Sequence, residues 1–245
     1  MQRERLLRSA ISGPRARNSH AFVVDEIGHA IVEGAFPAGT ILPGDAQLAE
    51  RFSVSRTVLR EAMKTLAAKG MLVSKARVGT RVTDRRNWNL FDADVLRWQF
   101  ESGLDRAFLD HLRDMRLVLE PAAARMAATH ASAEDVDRIL AAADGMSPSG
   151  DNADFAMADL ALHLAVLDAS KNPFMQSVAN LIEAALAIIF SLSTSEDREV
   201  REHTVTAHRE IAEAIAAHDP DRADQAMRRV INEGRDRIAG RLAAG

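Results

Sequence analysis

The 245 residues include no cysteine, so disulfides and thiolate metal sites are excluded and nothing favours secretion. No apolar run approaches the roughly 18 residues of a membrane span. Arg3, Arg5 and Arg8 open the chain without the apolar stretch that would make them part of a signal peptide. A soluble, cytoplasmic protein with no membrane partner is expected. Beyond residue 94 strand formers are sparse, which argues against a large sheet. Net charge is also small, −4, and taken whole it points to no nucleic acid. Its distribution says otherwise. Residues 1–86 hold 15 basic and 8 acidic side chains, a net of +7, while residues 87–245 hold 16 and 27, a net of −11. A cationic front on an acidic body suits a DNA-binding module attached to a regulatory domain, and the length suits two domains.

The segment Leu48 to Thr83 carries the strongest pattern. Ser55 is suited to cap a helix, its hydroxyl accepting from a first-turn N–H. Arg56, Arg60 and Lys64 follow at four-residue intervals and form one stripe, with Thr57 beside it. Val58, Leu59, Ala62 and Leu66 make the opposite, buried face. Gly70 stops the helix, and Met71–Ser74 and Thr80–Thr83 pair around Arg77 and Gly79 as a hairpin. Upstream, a helix is expected over Phe22–Glu33, with Ile27 and Ile31 inside and Gly34 as C-cap. Basic residues at this spacing often make only a solvated helix face. The order helix, turn, helix, hairpin favours a recognition helix for double-stranded DNA.

From residue 94 to 241 alanine and leucine recur at three and four, and breaks imply six or seven helices in an antiparallel bundle. Pro121 lies inside Leu112–Thr129 and should kink that helix. The fold expected is mainly α, a winged helix-turn-helix followed by an all-helical bundle. The division is a basic arm over 1–20, the DNA-binding domain over 21–86, a linker over 87–93 and the bundle over 94–241. Both tryptophans, Trp88 and Trp98, fall at this junction, as anchors between domains or as ordinary helix packing. Asp159 and His163 share a helix face at i, i+4, and His208 lies on a later helix beside Ile211, Ala212 and Ile215. Such groups either bind a divalent metal through nitrogen and oxygen or make surface contacts and hydrogen bonds. Ser191, Ser193 and Thr194 could offer hydroxyls to a polyol.

These residues carry a resemblance. Ser55-Arg56, Leu59-Arg60-Glu61-Ala62, Leu66 and Gly79-Thr80 make Asp45–Thr83 similar to the winged helix-turn-helix of GntR-type bacterial regulators. It implies that Arg56 and Arg60 reach an operator, that Arg77 and Gly79 sit near the wing tip, and that the fold forms a homodimer. Two positions depart from the pattern. Ser53 stands where glycine is usual and must carry left-handed backbone, and Ala46 replaces a basic residue. The bundle resembles the ligand-sensing (FCD) domain of the FadR-like branch, in which Asp159, His163 and His208 match three ligands of a metal beneath the effector. The fourth falls on Val230, which cannot coordinate. The resemblance therefore leaves either a three-ligand site for one divalent ion of the Zn, Ni or Mn class, or a metal-free pocket that hydrogen-bonds its ligand.

Arg116 matches a pocket arginine able to grip a carboxylate. Its alternative is a salt bridge to Asp114 or Glu120. The string from Trp88 to Trp98 resembles the subset of the family answering to sugar acids such as galactonate. The expected function is a DNA-binding transcriptional repressor of a carbohydrate-acid operon, its effector a small organic acid. A fatty-acid or hydroxy-acid sensor is the alternative within the family, and a metal-dependent hydrolase the alternative outside it. No nucleophile or general base is evident beyond the ligands, so no catalytic residue is expected and the chain is read as no enzyme.

Overall fold

A computed structural model describes residues 18–103, 106–193 and 198–244, leaving aside the side chains of 106, 191–193 and 235–244. The basic arm expected over residues 1–20 lies outside the described residues except for its last three, of which Asn18 caps the first helix and Ser19 and His20 start it. Among the described residues there are eleven α-helices and one two-stranded sheet, the mainly α fold expected. None of these helices is long and apolar enough to cross a membrane. The chain divides into two compact units, with the boundary between residues 104 and 105.

The first unit contains α1 (Ser19–Val32), α2 (Asp45–Arg51), α3 (Arg56–Ala68), β1 (Leu72–Lys75), β2 (Gly79–Val82) and α4 (Ala93–Glu101). Asn18 caps α1 by accepting from the Ala21 amide, and Ser55 caps α3 by accepting from Val58 at 3.2 Å. Between α2 and α3, Ser53 takes φ +53°, the left-handed conformation that most side chains resist. The strands pair antiparallel from Leu72↔Val82 to Lys75↔Gly79, and Ile41 adds a bridge to Arg81. Val23, Ile27, Leu48, Leu59, Leu66 and Met71 fill the core. On α3, Met63 joins Leu59, Ala62 and Leu66 inside, while Val58 is only half-buried.

Helix α4 differs from the sequence reading, which began the bundle at residue 94 after a linker over 87–93. It packs on α1 in the first unit. Trp98 is fully buried over Gly28, where a Cβ would stand 2.3 Å from the indole, so only glycine fits. The indole Nε1 donates to Asp25 at 2.7 Å, and Arg97 pairs with the same carboxylate. Lys69 pairs with Asp92 at 2.7 Å and Asp94 at 2.9 Å, while Asp92 caps α4. Trp88 packs against the same core. Gly70 takes φ +79° and stands where a Cβ would meet the Asn87 carbonyl at 2.0 Å. Both tryptophans thus serve the core of the first unit, Trp98 through the ordinary helix packing that the sequence left open.

The second unit holds seven helices among its described residues: α5 (Arg106–His130), α6 (Ala133–Gly145), α7 (Asn152–Ala169), α8 (Pro173–Gln176), α9 (Ala179–Ser193), α10 (Arg198–Ala216) and α11 (Pro220–Ala244). Helix α5 lies against α7, α10 and α11. The C-terminal half of its buried side is rich in alanine (Ala123, Ala124, Ala127, Ala128), and Ala212, Ala214, Ala223 and Ala226 of α10 and α11 belong to the same core cluster. Small side chains let the helix axes approach closely. Pro121 sits within α5, where its missing N–H should leave the carbonyl four residues earlier without its helical donor. That carbonyl, of Leu117, accepts from Arg228 Nη1 of α11 at 3.2 Å. At the start of α6, Ser132 and Asp135 form a reciprocal capping box, and Asp135 also pairs with Lys171 at 2.6 Å.

Candidate functional sites

On the first unit, Arg56, Thr57, Arg60 and Lys64 are exposed on α3, as are Arg77 and Gly79 on the hairpin. Lys64 forms an exposed pair with Glu61 at 2.8 Å. Among the described residues no ion pair engages Arg56, Arg60 or Arg77, so these guanidiniums face solvent with their charge available. Arg77 takes φ +64° and Gly79 φ +108°, which closes the short loop between the strands. The arginine stripe lies opposite Leu59, Ala62 and Leu66, so the packing that roots α3 in the core is what turns the stripe outward.

The second unit brings Asp159, His163 and His208 together from α7 and α10. They are 5%, 1% and 1% exposed, and each offers a ligand atom within 4.8 Å of the others. His208 Nδ1 lies 2.7 Å from the Thr204 carbonyl. A carbonyl only accepts, so that nitrogen carries a proton and Nε2 is the atom turned into the cluster. Nε2 faces Asp159 Oδ2 at 3.2 Å. His163 is placed by a charge contact instead. Its Nδ1 lies against the Glu120 carboxylate without hydrogen-bond geometry, leaving Nε2 3.4 Å from Asp159 Oδ1, and neither of those two atoms has a hydrogen-bond partner.

The charges explain what this arrangement requires. Burial raises the Asp159 carboxyl, but His208, His163 and Arg116 outweigh it and hold the group below its ordinary range. That lowering is the attraction of charged imidazoles; were the imidazoles neutral, two lone pairs would face the carboxylate and a cation would have to lie among them. Either a divalent metal or protons on the imidazoles satisfies that need. The donor set, two Nε2 atoms and a carboxylate with both rings oriented through Nδ1, fits a metal of the Zn, Ni or Mn class.

A cavity with about 50 Å³ of room for water-sized molecules, open to solvent at its mouth, includes these groups in its lining. Val230 forms part of the wall, so the position matching the fourth ligand is apolar. Arg116 lines it too, 3% exposed, with Nε and Nη2 donating to Glu120, the latter at 3.2 Å. Of the alternatives open in the sequence, the described geometry contains the Glu120 pair. Burial pushes Glu120 upward, yet Arg116 and then His163 bring its carboxyl down to about 2. The side chain of Ser191, and Ser193 likewise, fall outside the described residues, as does Thr194.

Sequence reasoning missed three residues here, Thr204, Arg201 and Asn152, and gave Glu120 only as a salt-bridge partner of Arg116. Glu120 was legible as the i+4 partner of Arg116, and Thr204 and Arg201 sit four and seven positions before His208 on its own face. Asn152 opens α7, seven before Asp159. All but Glu120 line the cavity.

Comparisons with known proteins show the family of the chain. Residues 20–82 match the family of bacterial regulatory proteins, gntR family, and residues 111–233 match the FCD domain. The galactonate operon transcriptional repressor of Escherichia coli K12 is 32% identical over 88% of this chain and 95% of its own. The HTH-type transcriptional regulator YieP of the same strain is 34% identical over 88% and 93%. The repressor NanR of Enterobacter sp. strain 638 is 31% identical over 92% and 87%. Among solved structures, Lar, which controls expression of the Listeria monocytogenes agr system, shares the fold with a TM-score of 0.62 and 20% identity, over 92% of this chain and 98% of that one.

Proposed function

The chain belongs to the gntR family of bacterial regulatory proteins, in the branch that carries an FCD domain, and from that premise we propose that it represses an operon for breakdown of a carbohydrate acid. That it is a DNA-binding transcriptional regulator follows from the family. The residues up to 103 form the operator-binding head, with Arg56, Thr57, Arg60, Lys64, Arg77 and Gly79 meeting DNA. The bundle from 106 onward senses a small acid and joins two chains as a homodimer, placing two heads on a pseudo-palindromic site. It works on cytoplasmic DNA.

The observation that carries this reading is the convergence of Asp159, His163 and His208 in a cavity of the FCD domain. These residues would hold one divalent ion, which would offer a coordination position to an oxygen of the effector. Glu120 and Thr204 keep both imidazoles turned toward it. Val230 leaves the set at three protein ligands, so mild chelation should remove the ion. The galactonate repressor's name and its 32% identity support a sugar acid over a fatty acid, as does a lining that places these polar groups together.

A thermal-shift screen of aldonates and related acids, with and without divalent metals, tests the proposal. A stabilising acid that also changes operator binding is the expected result. No response to any acid, with operator binding intact, would leave a DNA-binding protein whose bundle only dimerises.

A further inference from the structure

We propose that the effector's carboxylate docks on Arg201, two helical turns from Asp159, His163 and His208, so that the molecule recognised is an acyclic hydroxy acid held at both ends. This rests on the cavity being the effector site, as argued above. Helices α7 and α10 both contribute to the lining of the cavity and are linked at two levels. At one level Asp159 faces His208 at 3.2 Å. At the other, Arg201 Nη1 donates to the Gly150 carbonyl at 2.8 Å, just before α7, and lies 3.4 Å from that of Pro148. Seven residues separate Arg201 from His208, and seven separate Asn152 from Asp159. That spacing is about 10.5 Å of rise on each helix. The cavity therefore has two polar ends, Arg201 with Asn152 and the Asp–His–His cluster, with Phe155, Leu186, Ile189 and Val230 also in the lining.

Arg116 is the other arginine in the lining, and its chemistry is already committed. Two of its nitrogens grip Glu120, which in turn orients His163. Drawing Arg116 toward a ligand would leave a buried carboxylate without its cation, a costly exchange. Arg201 is supported differently. Backbone carbonyls fix one nitrogen, and the guanidinium lies 5.5 Å from the centre of the Phe155 ring. These supports hold its plane and are compatible with a bidentate grip on a carboxylate. An acid docked there points its hydroxyl-bearing chain along the cavity toward the cluster.

The test compares acids with neutral polyols of the same length on the full chain. Galactonate and gluconate, with galactitol and sorbitol, are titrated by thermal shift against the wild type, Arg201→Gln and Arg201→Lys. Zinc affinity by chelator competition and operator affinity are the controls. The wild type should prefer acid over polyol. Arg201→Gln should cut that preference about tenfold or more, the size expected of a charge-assisted pair, with zinc and operator affinity unchanged. Arg201→Lys, which keeps charge without the planar fork, should recover part of it. A residue that only tethered the loop at Gly150 would alter melting without altering the acid-to-polyol ratio. An unchanged ratio in Arg201→Gln overturns the inference alone. A wild type that binds no acid overturns the sugar-acid reading, and the inference with it.

Discussion

In the first unit the residues proposed to meet DNA are all exposed, and the core beneath them is built from Leu59, Leu66, Ile27 and Trp98. In the second unit the proposed ligands are 5% exposed or less, set in a core where alanine alternates with leucine and isoleucine. The two halves thus solve opposite problems. A recognition helix needs its functional face outside, so stability and recognition can be altered separately. A sensor needs carboxylates and imidazoles inside, where each must be satisfied by a partner. Arg116, Glu120, His163, Asp159 and His208 form one connected set for that reason, and changing one disturbs the rest.

The largest effect expected is on the first unit's core. Trp98→Ala removes a fully buried indole and should cost about 3–5 kcal/mol of that unit's stability. Calorimetry should show its melting fall and operator binding weaken, while acid binding by the bundle persists. Equal loss of both functions would mean that the halves are less separable than their cores suggest.

Surface changes on α3 should do the converse. Arg56→Ala or Arg60→Ala should each cost ~1–3 kcal/mol at the operator if it contacts a base, with melting unaltered. Binding should also fall steeply with salt. Unchanged operator affinity in the double variant would remove these arginines from the DNA interface.

In the bundle, recognition and packing should fail to separate. Glu120→Gln takes away the carboxylate that orients His163 and should lower metal affinity about 10–100-fold. His163→Ala should abolish the effector response and leave operator binding intact. Chelator competition and an operator-binding assay check the two. A normal metal affinity in Glu120→Gln would show that His163 is oriented without it.

The smallest effect expected is a pH dependence. Asp135 is held well below its ordinary range by hydrogen bonds from Lys171 first, then Ser132. A depressed carboxyl stabilises the fold fully above its unfolded value, near pH 4, and that contribution is lost as pH falls below it. Asp135→Asn should therefore lower melting at neutral pH and flatten its decline on acidification. A parallel decline in both proteins would place the acid sensitivity elsewhere.

What could be read from the sequence was local. The Ser55 cap and the arginine stripe follow from residues within one or two turns of each other, while the left-handed Ser53 came through the resemblance. Asp159 and His163 were likewise visible as neighbours on one helix. Their partnership with His208 came through resemblance, because nothing local joins positions 45 residues apart. The place of α4 was not legible, since it depends on Trp98 meeting Gly28 across 70 residues. Glu120 was hidden in another way. Beside Arg116 it looks like any helix-surface pair, and only burial makes it a support for His163.

The seat of Trp98 over Gly28 also fixes where the protein can be cut and recombined. A transplant ending after the wing, near Arg86, would carry α1 away without the indole that covers Gly28 and the partner of Asp25. The exposed apolar slot would invite aggregation, and the chimera would be judged inactive for the wrong reason. A graft extended through Gly103 carries its own lid. Anyone exchanging operator specificities between such regulators should treat Ala93–Glu101 as cargo of the DNA-binding half.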